Sequence, residues 1–188
     1  MANPFLLGEH VYLRALLETD AEGDYPLWLN DEEVCRGNSH HRFAFTPESA
    51  RDYIRRAGST RDELILAIAL RDDDRHIGNI TLKRMDFVSR SAEFAIIIGA
   101  KDCWGKGHSK EAARLLLDHA FFTLNLNRVY CGTFETNVAM KKLAEYLAMQ
   151  VEGQRRQAVF KQNRYVDVIE YGVLRQEYIE RFGGSEEG

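Results

Sequence analysis

The sequence predicts a mixed α/β fold, with a mostly antiparallel central sheet and helices on both faces. Strand and helix patterns follow one another in the order strand, helices, three strands, helix, strand, helix, two strands. At the centre, residues 93–124 join a strand pattern to a long helical pattern through two glycines. The chain has 188 residues, 45% of them hydrophobic, which is enough for a real core and suits one domain.

The N-terminal half begins with a β-rich alternating run at 10–16, which predicts the first strand. A helical stretch follows, and Pro26 predicts a break or a restart within it. Thr46, followed directly by proline, predicts the start of the next helix. The apolar runs at 64–70 and 77–85 flank a polar turn and predict a hairpin.

The central unit begins with Phe94–Ile98, an apolar run rich in β-branched residues that predicts a strand buried on both faces. Gly105 and Gly107 lie in the short connection that follows. The next stretch predicts a helix with a wide apolar face, formed by residues at four-residue spacing. These residues are Ala112, Ala113, Leu116, Leu117, Ala120 and Phe121.

The C-terminal half contains a strand pattern at 127–134 and a helix capped by Thr136 or Asn137. The buried side of that helix is predicted to consist of Ala139, Leu143 and Leu147.

A final antiparallel pair is predicted at 150–160 and 165–173, and residues 177–182 are predicted to form a short tail. We expect a single domain over 1–182, followed by a disordered tail at 183–188.

Composition excludes several classes of function. The net charge of −4 provides no basic excess for general nucleic-acid binding. No apolar run approaches the roughly 20 residues of a membrane span, and no signal peptide is evident, so we expect a soluble, cytoplasmic protein. The three cysteines are far apart and the adjacent His40 and His41 are a weak metal signal, so no metal site is predicted.

The glycine-containing turn before the long helix carries the chemistry. The first turn of a helix has unpaired N–H groups and the positive end of the helix dipole, which together favour an anion such as a pyrophosphate. A Walker loop and a dinucleotide fingerprint both fit the spacing of Gly105 and Gly107 poorly. A tight turn without a ligand is the alternative interpretation.

The segment Trp104-Gly-Lys-Gly-His-Ser-Lys-Glu-Ala112 resembles motif A of the GCN5-related N-acetyltransferases (GNAT), most closely the RimJ/RimL-like branch. The resemblance extends over nearly the whole chain, from Tyr12 to Tyr171. It implies the GNAT fold, in which the strands at 93–99 and 127–134 run parallel and splay apart. Acetyl-CoA would then bind between them as co-substrate.

The resemblance also implies roles for individual residues. The turn would hold the pyrophosphate through backbone N–H groups, the central strand would pair with the pantetheine arm, and the amide of Asn137 would hold that arm. A backbone N–H near Ile97 or Ile98 would polarise the thioester carbonyl. For Asn137 the alternative is a plain helix N-cap. The implied cofactor-binding residues are Ile96, Ile97, Ile98, Trp104, Gly105, Lys106, Gly107, His108, Ser109 and Asn137.

Glu93 resembles the family's glutamate that faces the acceptor pocket, and it is the candidate general base, directly or through a water. The alternative is a surface carboxylate at a strand end. Several positions depart from the family pattern: Asp102 replaces a basic residue or Gln, Met140 replaces a serine, and Ala144 replaces the tyrosine that protonates the leaving thiolate. Tyr146 is expected on the polar side of its helix and is not assigned that role.

The resemblance therefore implies an acetyl-CoA-dependent N-acetyltransferase that works by direct attack in a ternary complex. The acceptor is expected to be a primary amine of a small molecule: an amino sugar, a nucleotide-linked amino sugar, an amino acid or an antibiotic. A protein N-terminal acetyltransferase and a non-catalytic acyl-CoA sensor are the alternatives. A homodimer through the final strands is a family expectation.

Overall fold

The computed structural model describes residues 3–59 and 61–183, and these form one eight-stranded sheet with five α-helices. The strands are β1 (Leu6–Leu7), β2 (Val11–Ala15), β3 (Leu64–Leu70), β4 (His76–Asp86), β5 (Ser91–Ile98), β6 (Arg128–Phe134), β7 (Gln150–Lys161) and β8 (Arg164–Leu174). The α-helices are α1 (Tyr25–Leu29), α2 (Pro47–Ala57), α3 (His108–Asp118), α4 (Val138–Tyr146) and α5 (Arg175–Phe182). Short 3-10 turns at Glu18–Glu22 and Lys101–Cys103 and a π turn at His119–Thr123 complete the described elements.

The sheet has the strand order β1-β2-β3-β4-β5-β6-β8-β7, and every pair is antiparallel except β5 with β6. That parallel pair is short, because Ser91–Glu93 pairs with Arg128–Tyr130 and the pairing ends there. Beyond Glu93 the two strands separate and leave a groove between them. The mixed fold, its mostly antiparallel sheet and its splayed parallel pair are therefore confirmed.

Two apolar clusters cover the two faces of the sheet. The larger one lies under α3 and α4, and its helical members include the six residues whose spacing predicts the apolar face of α3. The smaller one packs α1 and α2 on the other face and includes Trp28 and Ile97. Alternate residues of β5 therefore serve different clusters, as the pleat of a strand requires.

Helix starts follow the expected local chemistry. Thr46 caps α2 by accepting a hydrogen bond from the backbone N–H of Ser49. Asn137, rather than Thr136, caps α4 by accepting from the N–H of Met140. The Pro26 prediction is also confirmed, because a 3-10 turn ends before it and α1 begins with proline in its first turn.

Several predictions about burial and the C-terminus were wrong. Phe94–Ile98 is not buried on both faces, because residues 95–98 border the groove and stay partly exposed. Ala139 is exposed, and Ala144 takes its place beside Leu143 and Leu147 on the buried side of α4. The predicted tail at 177–182 is part of α5, which packs on α3 through the fully buried Tyr178. Of the predicted disordered tail, residues 184–188 lie outside the described residues.

Within the described part of the chain, every helix falls short of the length and apolar character that crossing a membrane requires.

Candidate active site

The turn before α3 presents a row of unpaired backbone donors. Gly105 and Gly107 have φ values of +74° and +89°, in the left-handed region where glycine is favoured. In this conformation the backbone N–H groups of residues 105–109 donate to no acceptor within the described residues. Nothing lies within 4 Å of a Cβ placed on either glycine, so open space surrounds the turn. The turn therefore has the conformation and the free donors of an anion site.

Side chains around the turn add positive charge and one unsatisfied polar atom. Lys106 is exposed, and the Lys110 ammonium lies 4.8 Å from the centre of the Tyr146 ring. The Nδ1 atom of His108 is buried and has no hydrogen-bond partner among the described residues. A buried polar atom without a partner is costly, so His108 is a strained point of this turn.

The start of the turn is anchored by an arginine that the sequence does not single out. Arg75 forms two hydrogen bonds with Asp102, of 3.2 and 2.6 Å, and a third with the Cys103 sulfur at 3.2 Å. This pairing holds the pKa of the Asp102 carboxyl below its usual range. Asp102 thus stabilises the turn through a partner on the β3–β4 connection, although its charge is opposite to that of the family's usual residue.

The edge of β5 that faces the groove exposes alternate backbone groups. Gly99 N–H donates to Ile77 O at 2.9 Å, and bonded pairs alternate along an antiparallel ladder, so the Ile97–Asn79 pair is bonded too. The backbone groups of Ile96 and Ile98 consequently face the groove, while those of Ile97 are used by β4. Trp104 Nε1 donates to the Ile98 carbonyl at 2.9 Å and so covers the upper end of this edge.

Asn137 uses both ends of its side-chain amide inside the protein. Its Oδ1 accepts from Met140 N–H and its Nδ2 donates to Gly37 O, each at 3.0 Å. A Cβ on Gly37 would lie 2.5 Å from that Nδ2, so the contact requires glycine. Asn137 is therefore an N-cap, as its alternative interpretation states, and it also ties the loop after α1 to α4. Holding a pantetheine arm would require Nδ2 to leave Gly37.

Glu93 lies at the closed end of the groove, where the parallel pairing stops. Its carboxylate is about one-fifth exposed and forms ion pairs with Lys83 Nζ at 3.3 Å and Arg84 Nη1 at 3.0 Å. The arginine lies off the hydrogen-bonding direction, so the buried Oε2 has an ionic partner but no hydrogen bond. The strand from Glu93 to Ile98 spans about 17 Å at the usual rise per residue, which separates this carboxylate from the turn.

The position expected to carry an acidic tyrosine is filled by Ala144, which is fully buried. Tyr146 is half-buried rather than on the polar side of α4, and its ring packs 5.6 Å from that of Phe182. Ala144 has no hydroxyl, and the ring of Tyr146 is packed between Phe182 and the Lys110 ammonium.

All three cysteines are free thiols in the interior. Burial raises the pKa of each thiol, for Cys131 to about 12. A thiol with so high a pKa stays protonated at neutral pH and is a poor nucleophile. Among residues 3–59 and 61–183, no three His, Cys, Asp or Glu side chains are grouped to hold a metal ion.

Sequence reasoning missed the residues that reach the site from other elements. Three contacts are examples: Lys83 with Glu93, Gly37 with Asn137, and Lys161 Nζ with the His40 carbonyl at 2.9 Å. No local pattern marks them, because each contact joins segments far apart in the chain. Strand pairing brings Lys83 to Glu93, and the path of the loop after α1 brings Gly37 to Asn137.

Comparison with known proteins is consistent with this geometry. Residues 10–150 match the family profile described as Acetyltransferase (GNAT) domain. A Bacillus licheniformis protein named uncharacterized N-acetyltransferase p20 is 32% identical over 60% of this chain and 62% of its own length. The spermidine N(1)-acetyltransferase of Vibrio cholerae is 33% identical over 56% of this chain and 60% of its own length. The chain thus spans about three-fifths of the length of both relatives.

Two further proteins match over most of their length. Bacillus subtilis YdaF, whose name proposes a ribosomal N-acetyltransferase, is 28% identical over 92% of this chain and 95% of its own length. A structure of the V. cholerae spermidine N-acetyltransferase with CoA and spermine has a TM-score of 0.81 at 24% identity, covering 90% of this chain and 98% of that one. This structural likeness shows the fold, and the profile match shows the family: the chain belongs to the GNAT acetyltransferase domain family.

Proposed function

We propose that this protein is an acetyl-CoA-dependent N-acetyltransferase that acts on the primary amine of a small molecule by direct attack in a ternary complex. The observation that carries the proposal is a single groove with two different ends. One end offers the unpaired donors of residues 105–109, and the other offers the carboxylate of Glu93. A cofactor with an anionic middle and a reactive terminus fits such a groove.

The residues present suit the cofactor. Backbone donors of 105–109 would meet the pyrophosphate, while the groove-facing N–H groups of Ile96 and Ile98 would meet the arm. Acetyl-CoA supplies the activated acetyl group. Within the chain, the role of Ile96 or Ile98 N–H is to donate to the oxygen on which negative charge develops.

Glu93 is the proposed base. An ammonium cannot attack a carbonyl, so the acceptor amine must lose a proton, and the carboxylate accepts it directly or through one water. The buried Oε2 of Glu93, without a hydrogen bond, has room for such a donor once Arg84 moves aside. The buried, protonated cysteines support direct transfer over a cysteine-bound intermediate. With alanine at 144, water is the proposed proton source for the leaving thiolate.

The relatives bear on the acceptor class. The V. cholerae relative is named for a small polyamine, which supports a small-molecule amine here. YdaF, which matches over more of the chain, supports a protein N-terminus as the second candidate.

The first test is calorimetric titration of the protein with acetyl-CoA and with S-acetylpantetheine, which lacks the pyrophosphate. We expect acetyl-CoA to bind much more tightly, because the donors at 105–109 need the anion. Equal affinities, or no binding at millimolar acetyl-CoA, would remove the assignment of the turn and the acetyltransferase proposal with it.

The second test separates an enzyme from a sensor. Glu93→Gln should lower kcat for amine acetylation by about 10²–10⁴-fold and leave acetyl-CoA affinity unchanged, with release of free CoA thiol as the readout. Glu32→Gln, the same change at an exposed glutamate after α1, is the control and should leave both quantities unchanged. A protein that binds acetyl-CoA but acetylates neither small amines nor peptide N-termini would be a sensor.

A further inference from the structure

A bulge in β4 directs two neighbouring cations at one carboxylate. Lys83 pairs with Glu93 across the ladder, and the register shifts between Lys83 and Asp86. Consecutive residues of a regular strand point to opposite faces. Here Arg84 adopts a left-handed backbone, with φ of +53°, and both side chains reach the Glu93 carboxylate. Bulges that redirect a side chain are over-represented beside active sites.

Two other segments contribute a histidine and a lysine. The loop after α1 carries His40, and Lys161 at the end of β7 donates to the carbonyl of that residue. Burial, together with the charges of Lys83 and Lys161, lowers the pKa of His40. The positive charge of both lysines therefore acts on this imidazole.

Two other carboxylates of this region are already paired. Glu152 and Glu170 both influence the buried Cys131, and they have their own arginine partners, Arg128 and Arg155 respectively. Glu93 is thus the carboxylate that meets Lys83 and Arg84. Within this group of three side chains, the two positive charges exceed the single negative charge.

We propose that the acceptor is a primary amine that carries an anionic group, a phosphate or a carboxylate, close to the reacting nitrogen. This proposal rests on the proposed function. On binding, the acceptor ammonium pairs with the Glu93 carboxylate. Lys83 and Arg84, which pair with Glu93 in the free protein, then pair with the anionic group of the acceptor. Arg84 is free to make this exchange, since three-quarters of its side chain is exposed.

The same arrangement discriminates against polycations. A polyamine such as spermidine would place its second and third ammonium groups near Lys83 and Arg84. Like charges at close range disfavour binding, and such repulsion is a common source of specificity. The acceptor class would therefore differ from that in the name of the V. cholerae relative.

The experiment compares matched acceptors by kcat/KM at saturating acetyl-CoA. Glucosamine 6-phosphate with glucosamine tests phosphate, phenylalanine with phenethylamine tests carboxylate, and spermidine tests the polycation. We expect the anionic member of at least one pair to be favoured about tenfold or more, and the responding pair identifies the anion. Preference for the neutral members or for spermidine would overturn the proposal while leaving acetyl transfer intact.

Binding provides a readout that does not need turnover. The same five amines are titrated into the protein loaded with CoA, and the anionic amines should bind more tightly than their neutral partners. If they do not, the proposal is wrong, whereas failure to bind CoA at all would instead overturn the proposed function.

Variants test the residues. Asparagine tolerates the left-handed backbone at position 84, so Arg84→Asn should fold. Arg84→Asn and Lys83→Met, made as separate variants, should each bring the KM ratio of the neutral to the anionic acceptor towards one. Lys142→Met, which removes an exposed lysine of α4, is the control and should leave the ratio at its original value. Thermal denaturation verifies that all variants are folded. An unchanged ratio in both Arg84→Asn and Lys83→Met would contradict the assignment.

Discussion

At the scale of single residues, Gly107 determines whether the turn can present its donors. Alanine in the left-handed region costs about 1–2 kcal/mol, and space is not the obstacle because nothing lies within 4 Å. We expect Gly107→Ala to raise the Kd for acetyl-CoA about tenfold by calorimetry, as the backbone relaxes and the donors shift. Gly153→Ala in β7, also without a neighbour within 4 Å, is the control. Equal affinities of the two variants would contradict the role of the turn.

Asp20 is a buried carboxylate whose loss should cost considerable stability. It accepts two hydrogen bonds from the buried Arg14, of 2.7 and 2.8 Å, and lies 3.3 Å from His76 Nδ1. Burial alone would raise the pKa of Asp20, but the bonds from Arg14 and His76 outweigh burial and hold it well below its usual range. Asp20→Asn would leave Arg14 buried without a counter-charge.

We expect Asp20→Asn to lower the free energy of unfolding by about 3–5 kcal/mol, measured by chemical denaturation. The control is Asp52→Asn, which changes an exposed carboxylate 3.8 Å from Arg55 and should stay within about 0.5 kcal/mol of the parent. A similarly small effect at Asp20 would show that the buried pair contributes little.

At the scale of elements, α5 is an integral layer of the fold. The Tyr178 hydroxyl donates to Asp118 Oδ1 at 2.7 Å, and its ring lies 4.9 Å from Phe121 and 4.8 Å from Phe182. We expect Tyr178→Ala to destabilise the protein by about 3–5 kcal/mol and Tyr178→Phe by about 1 kcal/mol, since the second change removes only the hydrogen bond. Chemical denaturation measures both, with the exposed Arg181→Ala as reference. Equal losses for Ala and Phe would mean that the ring contributes nothing.

At the scale of the whole molecule, acid should destabilise the fold in two stages of the same sign. Burial lowers the pKa of His40 and His119, so the unfolded chain binds more protons there below about pH 6.5 and stability begins to fall. Hydrogen bonds and ion pairs lower the pKa of many carboxyls, Asp20, Asp102 and Glu152 among them. Their contribution is present above about pH 4.5 and is lost as the pH falls further.

The measurement is the guanidinium midpoint as a function of pH. We expect a shallow decline below about pH 6.5 and a steeper one below about pH 4.5. A midpoint that rises on acidification would have the wrong sign for both sets of groups.

The homodimer through the final strands remains a prediction. β7 is an edge strand of the sheet, so its outer edge could pair with a strand of a second copy. Sedimentation analysis would decide the oligomeric state.

Local patterns in the sequence by themselves determined most elements of this protein and the character of its turn. Three such features are the four-residue spacing in α3, the Thr46 cap and the glycines at 105 and 107. Each depends on interactions within a few residues of chain, so it can be predicted without knowledge of the fold. The same local reading missed α5 as a helix, because its eight residues are stabilised mainly by packing on α3.

Only the tertiary structure decided which side chains meet at the groove. The register of β4 against β5 places Lys83 and Arg84 on Glu93, and the loop after α1 places Gly37 on Asn137. Neither contact leaves a local signal, because the partners are 9 to 100 residues apart and their approach depends on strand pairing and loop closure. The sequence by itself therefore determined the glycine turn before α3, because its conformation is local, while the charge around Glu93 was decided by strand pairing.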